Sequence, residues 1–336
     1  MPTLGWGLIG ASNIASQYMI DAIRGAGGEV RSVLSSDSER GAEYAKNHGI
    51  PGSTTDLDAM LADDSIDVVY ISTTNEKHFA QAMAAIAAGK HVVCEKPLAM
   101  TAKDAAEMVR KAEAAGVTFA TNHHLRNAGS HQAIRDLIAS GKIGEVLSFK
   151  IHHAVHLPEN LRGWRINNPE AGGGVIADIV VHDADTVRFH LGEDPVEVVA
   201  MKTSGGMGEG VEDSNMSIWS MPSGVMVSTH ESFTHPFAKT GIEVNGTKGV
   251  IRATNVMTQE PAGTVILTTE TGDEEIDFLD HDLYGFAMQK FTDAVNGTGR
   301  PAADGVDGVK SLAVAEAVME AATSGQRTRV DYQGFS

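Results

Sequence analysis

Residues 5–15 read Gly-Trp-Gly-Leu-Ile-Gly-Ala-Ser-Asn-Ile-Ala, an apolar run that turns at Gly10 directly into a helical segment. A strand that passes through glycine into a helix is the setting of a dinucleotide-binding loop. The loop departs from the G-x-G-x-x-G pattern, because Ser12 and Ala15 replace the second and third glycines. An ordinary strand-to-helix turn is the alternative interpretation of this segment alone. The candidate cofactor contacts here are Gly10, Ala11, Ser12, Asn13 and Ile14.

The residues up to about 121 alternate short β-branched runs with Ala-rich helical segments. This alternation is typical of a parallel sheet covered by helices, so the predicted fold class is α/β with a doubly wound, Rossmann-type half. The predicted strands are 6–10, 30–35, 68–72, 91–94 and 117–120. The predicted helices are 14–24, 38–47, 57–61, 77–88 and 102–115.

After residue 122 the pattern changes to extended stretches separated by turn residues, which indicates an antiparallel sheet. We predict two domains, 1–122 and 123–336, which suits 336 residues at roughly 150 residues per domain. The predicted strands are 147–155, 225–229, 241–245 and 264–269. The predicted helices are 132–138, 284–295 and 306–322.

The composition excludes several classes of protein. Apolar residues make up 42% of the chain and charged residues 21%, which is globular rather than disordered or collagen-like. The net charge of −18 opposes broad contact with nucleic acid or an anionic membrane. One cysteine, Cys94, cannot form an internal disulfide, and neither a secretory signal nor a membrane-spanning stretch is recognised. A cytoplasmic location is therefore expected.

The end of the second predicted strand carries Ser35 and Ser36 where an NAD enzyme normally places an acidic residue against the ribose 2′-hydroxyl. Together with Arg40, about one helical turn further on, they indicate a 2′-phosphate pocket and hence NADP over NAD. Asp37 opposes this interpretation if its charge repels the phosphate, and agrees with it if Asp37 caps the next helix. A solvated helix residue is the alternative for Arg40.

Polar residues also follow the strands predicted at 68–72 and 91–94. Ligands of open α/β sheets collect at the carboxyl ends of the strands, which favours a functional role for Lys96. An exposed ion pair of Glu95 and Lys96 is the alternative. The residues at these two strand ends are Thr73, Thr74, Asn75, Glu76, Lys77, His78, Glu95, Lys96 and Pro97.

Residues 172–182, Gly-Gly-Gly-Val-Ile-Ala-Asp-Ile-Val-Val-His, place two ionisable side chains in an apolar helical segment. Asp178 and His182 are four residues apart and share one face of the helix. Ionisable groups in such a helix are unfavourable unless they are paired or used in chemistry. Acid–base chemistry is the first interpretation. A buried polar pair extended by Asp185 is the second, and a metal site is the third, because the histidine spacing forms no closed zinc pattern.

Taken together, these segments resemble the glucose-fructose oxidoreductase, inositol dehydrogenase and MocA (Gfo/Idh/MocA) family over nearly the whole chain. The motifs that carry the resemblance are 95–97, 172–182, 243–249 and 301–308. The resemblance implies an N-terminal NADP-binding Rossmann domain and a C-terminal substrate-binding α/β domain with an open, mostly antiparallel sheet. It also implies a cis Lys96–Pro97 bond, and the exposed sheet face would permit a homo-oligomer.

Within the family, residues 10–15, 121–127 and 163–165 are similar to those of members that reduce a keto-sugar with NADPH. The implied reaction is hydride transfer to C2 of 1,5-anhydro-D-fructose, giving 1,5-anhydro-D-mannitol. Lys96 would stabilise the developing oxyanion and His182 would donate the proton. Asp178 would bind sugar hydroxyls and favour a charged His182. The resemblance adds cofactor contacts at Asn122, Trp164, Arg165 and Tyr284, and substrate contacts at Lys96, His153, Trp164, Arg165, Asp178 and His182.

Two other functions remain open at this point. One is an NAD(P)-dependent dehydrogenase of inositol or another cyclic polyol or sugar. The other is a catalytically silent NADP-binding sensor, which the joint presence of Lys96, Asp178 and His182 disfavours. The expected partner is a small sugar, with no nucleic acid, membrane or bound metal.

Overall fold

The computed structural model describes residues 3–335, and its first sheet is parallel throughout. The strands lie in the order β3-β2-β1-β4-β5-β6, which reverses direction at β1 as in a doubly wound fold. The short strand β3 was not predicted, because its Gly-Ser-Thr sequence has no apolar pattern. The strands are β1 (Gly5–Ile9), β2 (Glu29–Leu34), β3 (Gly52–Thr54), β4 (Val68–Ile71), β5 (His91–Cys94) and β6 (Phe119–Thr121).

Helices follow these strands and confirm the predicted alternation. Three of them begin at a side-chain cap, since Asp37, Asp56 and Thr101 each accept a hydrogen bond from the backbone N–H three residues later. A π-helical turn, Ala15–Met19, leads into the first helix. The helices are α1 (Ile20–Gly25), α2 (Ser38–Asn47), α3 (Leu57–Leu61), α4 (Asn75–Ala87) and α5 (Ala102–Ala115).

The second sheet has the order β14-β13-β12-β11-β7-β10-β9-β8-β15 in the described part of the chain. Its neighbours are antiparallel apart from the parallel pair β7 and β10, which confirms the mostly antiparallel prediction. The strands are β7 (Val146–Ala154), β8 (Glu197–Thr203), β9 (Ser214–Ser220), β10 (Met226–Ser232), β11 (Gly241–Gly246), β12 (Gly249–Thr254), β13 (Thr264–Thr269), β14 (Gly272–Glu275) and β15 (Thr328–Arg329).

Five further helices accompany the second half of the described chain. A second π-helical turn, Ile176–Val180, runs directly into the third of them, so residues 176–191 form one continuous helical segment. None of the helices within residues 3–335 is both long and apolar enough to cross a membrane. The helices are α6 (Gly129–Ala139), α7 (Trp164–Asn167), α8 (Val181–Leu191), α9 (Leu283–Val295) and α10 (Gly305–Ser324).

The chain forms two compact units. The first contains the described residues up to His123 and also Tyr284–Val309, and the second contains His124–Leu283 and the described residues from Lys310 onward. The single boundary predicted after residue 122 did not provide for this return of the chain. Residues 284–309 belong with the first unit because Trp6 packs on Phe291, with ring centroids 5.6 Å apart, and Thr121 N–H donates to Ala303 O.

The second sheet buries one face and exposes the other. On β10 the buried positions of this face are Val227, Thr229 and Glu231, and on the neighbouring β9 they include Trp219; Ser232, at the end of β10, is buried as well. The buried face therefore carries polar and ionisable side chains among its apolar ones. Large apolar side chains on the exposed face are Met201, Met216, Ile218 and Met226.

Candidate active site

The loop after β1 has the geometry of a phosphate-binding turn. Gly10 adopts a φ of +117°, which favours glycine, and a Cβ there would lie 3.2 Å from the Ser72 backbone and from Thr73 Cγ2. The hydroxyl of Ser12 lies 2.7 Å from that of Ser72 and accepts a hydrogen bond from Ala15 N–H over 3.2 Å. Ser12 therefore caps the first helical segment. This role explains why a serine can stand where the G-x-G-x-x-G pattern has its second glycine.

Two side chains from α2 hold this loop from the side. The Arg40 guanidinium donates to Ala11 O over 2.6 Å, and the Tyr44 hydroxyl donates to Ser12 O over 2.9 Å. Burial raises the pKa of Tyr44 to about 12, so its hydroxyl remains a donor at neutral pH. Tyr44 was not among the predicted site residues, because its contact with Ser12 joins two elements that are separate in the sequence.

The carboxyl end of β2 presents hydroxyl groups, as predicted. Ser35 is buried, Ser36 is exposed, and the exposed Asp37 accepts a hydrogen bond from Arg40 N–H over 2.7 Å. Asp37 thus acts as the helix cap, one of the two alternatives considered for it. The exposed Arg40 side chain lies at the same strand end.

The loops after β4 and β5 are tied together by His78. This side chain is fully buried, with its ring nitrogens 2.8 Å from Pro97 O and 3.1 Å from Thr73 O. Burial lowers the pKa of His78. His78 thus connects the two strand ends, and the Lys96–Pro97 bond beside it is cis, as predicted.

The other polar residues of the loop after β4 bond locally, at the surface or within the start of α4. The Thr73 hydroxyl donates to Gln81 Oε1 over 2.7 Å, and the Thr74 hydroxyl donates to Glu76 over 2.7 Å. Lys77 is exposed with its Nζ 3.9 Å from Glu76, and Asn75 is buried in the first turn of α4. Only some of the polar side chains of this loop are therefore exposed to solvent.

Glu95 collects hydrogen bonds at the end of β5. Its Oε1 accepts from the Tyr70 hydroxyl over 2.5 Å and from Asn122 Nδ2 over 2.7 Å. Burial and the nearby Glu95 charge raise the pKa of Tyr70 well above its usual range. Glu95 thus joins β4, β5 and the end of β6.

Tyr284, another predicted cofactor contact of the same unit, is fully buried and stacks on Tyr18, with ring centroids 4.7 Å apart.

In the second unit, three glycines allow a tight loop before the helical segment that carries Asp178. A Cβ on Gly173 would lie 2.5 Å from Trp164 O, and a Cβ on Gly174 would lie 2.3 Å from Glu212 Oε1. Glu212 accepts a hydrogen bond from Ile176 N–H over 3.0 Å, and burial raises the pKa of its carboxyl. The glycine run therefore brings the start of this segment directly against α7.

That close approach pairs Asp178 with Arg165. Arg165 Nε lies 3.3 Å from Asp178 Oδ2, and the Arg165 guanidinium lies 4.6 Å from the centre of the Trp164 ring. Asp178 is 7% exposed, so the ion pair is only partly screened by water. Three predicted site residues, Trp164, Arg165 and Asp178, thus come together.

His182 lies among other histidines of the same unit. Its ring packs edge-on against His124 at a centroid distance of 5.0 Å and lies 6.3 Å from the ring of His153. His153 Nδ1 lies 2.7 Å from Asp183 Oδ1, a pairing that the sequence did not reveal. Asp183, which directly follows His182, is the signal that was missed.

Asp185 belongs to the core of the second unit. Arg126 Nε donates to Asp185 Oδ2 over 2.9 Å, Arg126 Nη2 donates to Asp185 Oδ1, and both side chains are buried. A buried carboxylate paired in this bidentate way is a structural ion pair. Among the residues described, no three His, Cys, Asp or Glu side chains come together in an arrangement that could hold a metal ion.

The first sheet and the turn after β1 define a dinucleotide-binding fold, because the positive φ of Gly10 leads the chain from β1 directly into a helical segment whose start carries the exposed Asn13, and a helix start at this strand end suits a pyrophosphate. The family model for the NAD-binding Rossmann fold of the GFO_IDH_MocA oxidoreductases matches residues 4–123, and the GFO/IDH/MocA C-terminal domain model matches residues 131–252. The chain belongs to the Gfo/Idh/MocA oxidoreductase family.

Individual relatives extend over the whole chain. The chain is 53% identical to 1,5-anhydro-D-fructose reductase of Ensifer adhaerens over 97% of this chain and 98% of that protein. It is 28% identical to D-xylose 1-dehydrogenase (NADP(+)) 2 of Haloferax volcanii over 97% of this chain and 99% of that protein. The crystal structure of aldose-aldose oxidoreductase from Caulobacter crescentus superposes with a TM-score of 0.88 at 24% identity, covering 98% of this chain and all of that one.

Proposed function

We propose that this protein reduces the keto-sugar 1,5-anhydro-D-fructose to 1,5-anhydro-D-mannitol with NADPH. The observation that carries the proposal is the 53% identity with a 1,5-anhydro-D-fructose reductase over nearly the full length of both chains. The paired Asp178 and Arg165 and the histidine group around His182 support it, because they offer a sugar both hydroxyl acceptors and donors.

The proposed preference for NADP over NAD rests on the end of β2. No acidic side chain stands at Ser35 or Ser36, and Asp37 is engaged at the helix start. The two serine hydroxyls and the guanidinium of Arg40, which has further N–H donors beyond the one bound to Ala11 O, suit a 2′-phosphate. The residues proposed to hold the dinucleotide are Gly10, Ala11, Ser12, Asn13, Ile14, Ser35, Ser36, Arg40, Thr73, Thr74, Asn75, Glu76, Lys77, His78, Glu95, Lys96, Asn122, Trp164, Arg165 and Tyr284.

NADPH supplies the hydride when it is bound. In the proposed reaction the Lys96 ammonium stabilises the oxyanion that develops on the carbonyl oxygen, and His182 donates the proton that neutralises it. Asp178 accepts hydrogen bonds from sugar hydroxyls while Arg165 fixes its carboxylate. His153 and Trp164 complete the proposed sugar contacts.

The experiment that tests this proposal measures NADPH oxidation by purified protein with 1,5-anhydro-D-fructose, and analyses the stereochemistry of the product. NADH in place of NADPH tests the cofactor preference. Rapid reduction with NADPH that gives 1,5-anhydro-D-mannitol supports the proposal. Absence of reduction by a protein that binds NADPH contradicts it.

A second candidate is oxidation of a cyclic sugar or polyol with NADP⁺. The full-length match to a D-xylose 1-dehydrogenase favours it, and the same residues would act in reverse, with neutral His182 accepting the proton. A panel of aldoses and inositols with NADP⁺, run beside the reduction assay, distinguishes the two directions.

A further inference from the structure

Behind His153, the second unit buries two carboxyl groups that the proposed reaction does not use. Asp183 on α8 and Glu231 on β10 are both 0% exposed, and both lie beside His153, since Glu231 is its register partner on the neighbouring strand and Asp183 contacts its ring. Each has a hydrogen-bonding partner of its own. Asp183 Oδ1 lies 2.7 Å from His153 Nδ1, and Asn215 Nδ2 donates to Glu231 Oε2 over 2.7 Å. The four side chains thus form one line of neighbours: Asn215 on β9, Glu231 on β10, Asp183 on α8 and His153 on β7.

A hydrogen bond between these two neighbouring carboxyls requires a proton. Ionised carboxylates only accept, so two of them cannot bond to each other. The remaining oxygens, Asp183 Oδ2 and Glu231 Oε1, are buried and receive no N–H or O–H donor from the described residues. A single proton on the pair supplies the missing donor. If both carboxyls were ionised, two like charges would lie together in the core, which is strongly unfavourable.

The flanking groups decide where this proton lies. Asn215 donates to Glu231 Oε2, which leaves Glu231 Oε1 to carry the proton toward Asp183 Oδ2. Asp183 then keeps its negative charge and accepts a second hydrogen bond from His153 Nδ1–H. In this arrangement every donor in the line meets an acceptor, and the same holds when the proton moves along the same hydrogen bond; a single proton is the smallest number that achieves this.

We propose that Asp183 and Glu231 share one proton and act as positioning residues, which hold His153 with its proton on Nδ1 and make Nε2 the acceptor toward a sugar hydroxyl. The part of this inference that concerns the sugar rests on the proposed function. The proton itself does not, because the buried geometry requires it with or without a substrate.

Electrostatics agrees with this geometry. Burial, reinforced by the Asp183 charge, raises the pKa of Glu231 to about 8, while hydrogen bonds from Asn215 and Thr229 oppose the rise. Burial also raises the pKa of Asp183 well above its usual range. The pair therefore retains a proton at neutral pH. The other titratable groups near His153 are His131 on α6 and His182 on α8, and His152 is its neighbour on β7, with a side chain on the opposite face of the sheet.

Spectroscopy on the full-length protein tests the shared proton without any sugar. At pH 7 the infrared difference spectrum between the wild type and Glu231→Gln should show a protonated carboxyl band that the variant lacks. Nitrogen NMR of the histidines, with His153 assigned by its own substitution, should show the proton on Nδ1. A missing carboxyl band, or a neutral His153 with its proton on Nε2, overturns the proposal.

Two variants separate positioning from simple packing. Gln at position 231 keeps an N–H donor toward Asp183 and an oxygen toward Asn215, so Glu231→Gln should preserve the His153 signal and keep the KM for sugar within about twofold of wild type. Glu231→Leu removes the donor, so we expect a different His153 signal and a KM raised about tenfold or more, with a smaller change in kcat. Glu243→Gln, at a partly exposed carboxylate on β11 of the same sheet, is the control that should change neither.

The outcomes keep this proposal distinct from the proposed function. If the protein fails to reduce 1,5-anhydro-D-fructose while the carboxyl band and the Nδ1 proton are present, the proton-sharing pair stands and only the substrate assignment fails. If a folded Glu231→Leu variant keeps the wild-type His153 signal, the positioning role is wrong. If Glu231→Leu does not fold, the comparison of the wild type with Glu231→Gln decides the question.

Discussion

At the scale of single residues, His182 combines the features expected of a proton donor. It is 8% exposed, it lies within the helical segment 176–191 of the second unit, and its ring lies 5.0 Å from that of His124 and 6.3 Å from that of His153. We predict that His182→Ala lowers kcat by about 10²–10⁴-fold, the usual contribution of a general acid, and leaves the Kd for NADPH nearly unchanged. Steady-state kinetics and NADPH fluorescence titration measure the two quantities.

A second histidine provides the control for this prediction. His230→Ala removes an imidazole from β10 of the same sheet, where the ring packs against His152 and His235 rather than against His182. We expect its kcat to stay within about twofold of wild type, since surface substitutions away from a site usually change little. A His182→Ala variant with wild-type kcat would remove the acid role.

The end of β2 allows a direct test of cofactor preference. A carboxylate introduced by Ser35→Asp should repel the 2′-phosphate and hydrogen-bond a ribose 2′-hydroxyl, as in NAD enzymes. We predict that the ratio of kcat/KM for NADPH to that for NADH falls about tenfold or more, which corresponds to about 1.4 kcal/mol.

Packing must be separated from charge in this test, because Ser35 is buried and Gly41 lies against its Cβ. Ser36→Asp adds the same charge one residue further on, where the side chain is exposed. Both variants should shift the cofactor ratio in the same direction. An unchanged ratio in both, with an unchanged Tm, would rule out a 2′-phosphate pocket at this strand end.

For single residues, the sequence predicted the position in the fold correctly where the sheet topology alone determines it. Residues such as Ser35 and Lys96 follow predicted strands, and the carboxyl ends of parallel strands meet at one edge, so their candidacy follows from the sheet. Contacts between distant segments were not accessible in this way. Tyr44 bonding to Ser12 O, and Glu231 meeting Asp183, depend on how separate elements pack.

At the scale of elements, the sequence predicted every strand of the first sheet except β3, because the central strands such as β4 are short, fully buried apolar runs. The second sheet was less visible. In β9 the outward positions include Met216 and Ile218 and the inward ones include Trp219, so both faces are apolar and the alternation that marks a strand is weakened. For the same reason β8 was missed, with Met201 on its exposed face.

The loop before the Asp178 segment gives a prediction for an element. Gly174 has a φ of +111°, and an added Cβ would lie 2.3 Å from Glu212 Oε1. We predict that Gly174→Ala lowers the free energy of unfolding by about 1–3 kcal/mol, through strain at this backbone conformation. It should also lower kcat/KM, because displacing the loop separates Asp178 from Arg165.

Gly205→Ala is the matched control for this change. A Cβ at Gly205 meets no atom within 4 Å, and its φ is not in the left-handed range. Chemical denaturation should give a free energy of unfolding close to that of wild type for this variant. Equal stabilities of Gly174→Ala and Gly205→Ala would show that the glycine run does not hold the loop.

At the scale of the whole molecule, stability depends on ionisable groups that are buried in their neutral forms. His131 Nδ1 lies 3.1 Å from His190 Nε2, and His131 Nε2 lies 3.0 Å from Val256 O, an arrangement that two neutral rings satisfy. Burial lowers the pKa of His131 to about 4 and that of His190 well below its usual range. Glu231 is the opposite case, with a pKa raised to about 8.

These shifts act on the two sides of neutral pH. Between pH 6.5 and about 4, His131 binds a proton in the unfolded chain but not in the folded one, so stability falls as the pH is lowered through this range. Between pH 4.5 and about 8, Glu231 binds a proton in the folded chain but not in the unfolded one, so stability falls as the pH is raised. Above pH 6.5 only the carboxyl effect remains, and below it the two histidines oppose the carboxyls.

We therefore predict that the Tm falls by about 2 °C or more between pH 6.5 and pH 8. Each unit of pKa difference between the folded and unfolded chain is worth about 1.4 kcal/mol of stability. A change of one kcal/mol in turn moves the Tm of a chain this long by about 2–4 °C. Glu231→Gln cannot ionise, so its Tm should be nearly flat over that range and exceed the wild-type Tm most at pH 8. The loss of stability on acidification, which the histidines cause, should persist in the variant. Calorimetry of both proteins in matched buffers measures the Tm on the acidic and on the alkaline side of pH 6.5. If the Tm of Glu231→Gln runs parallel to that of wild type above pH 6.5, Glu231 is already ionised in the native protein.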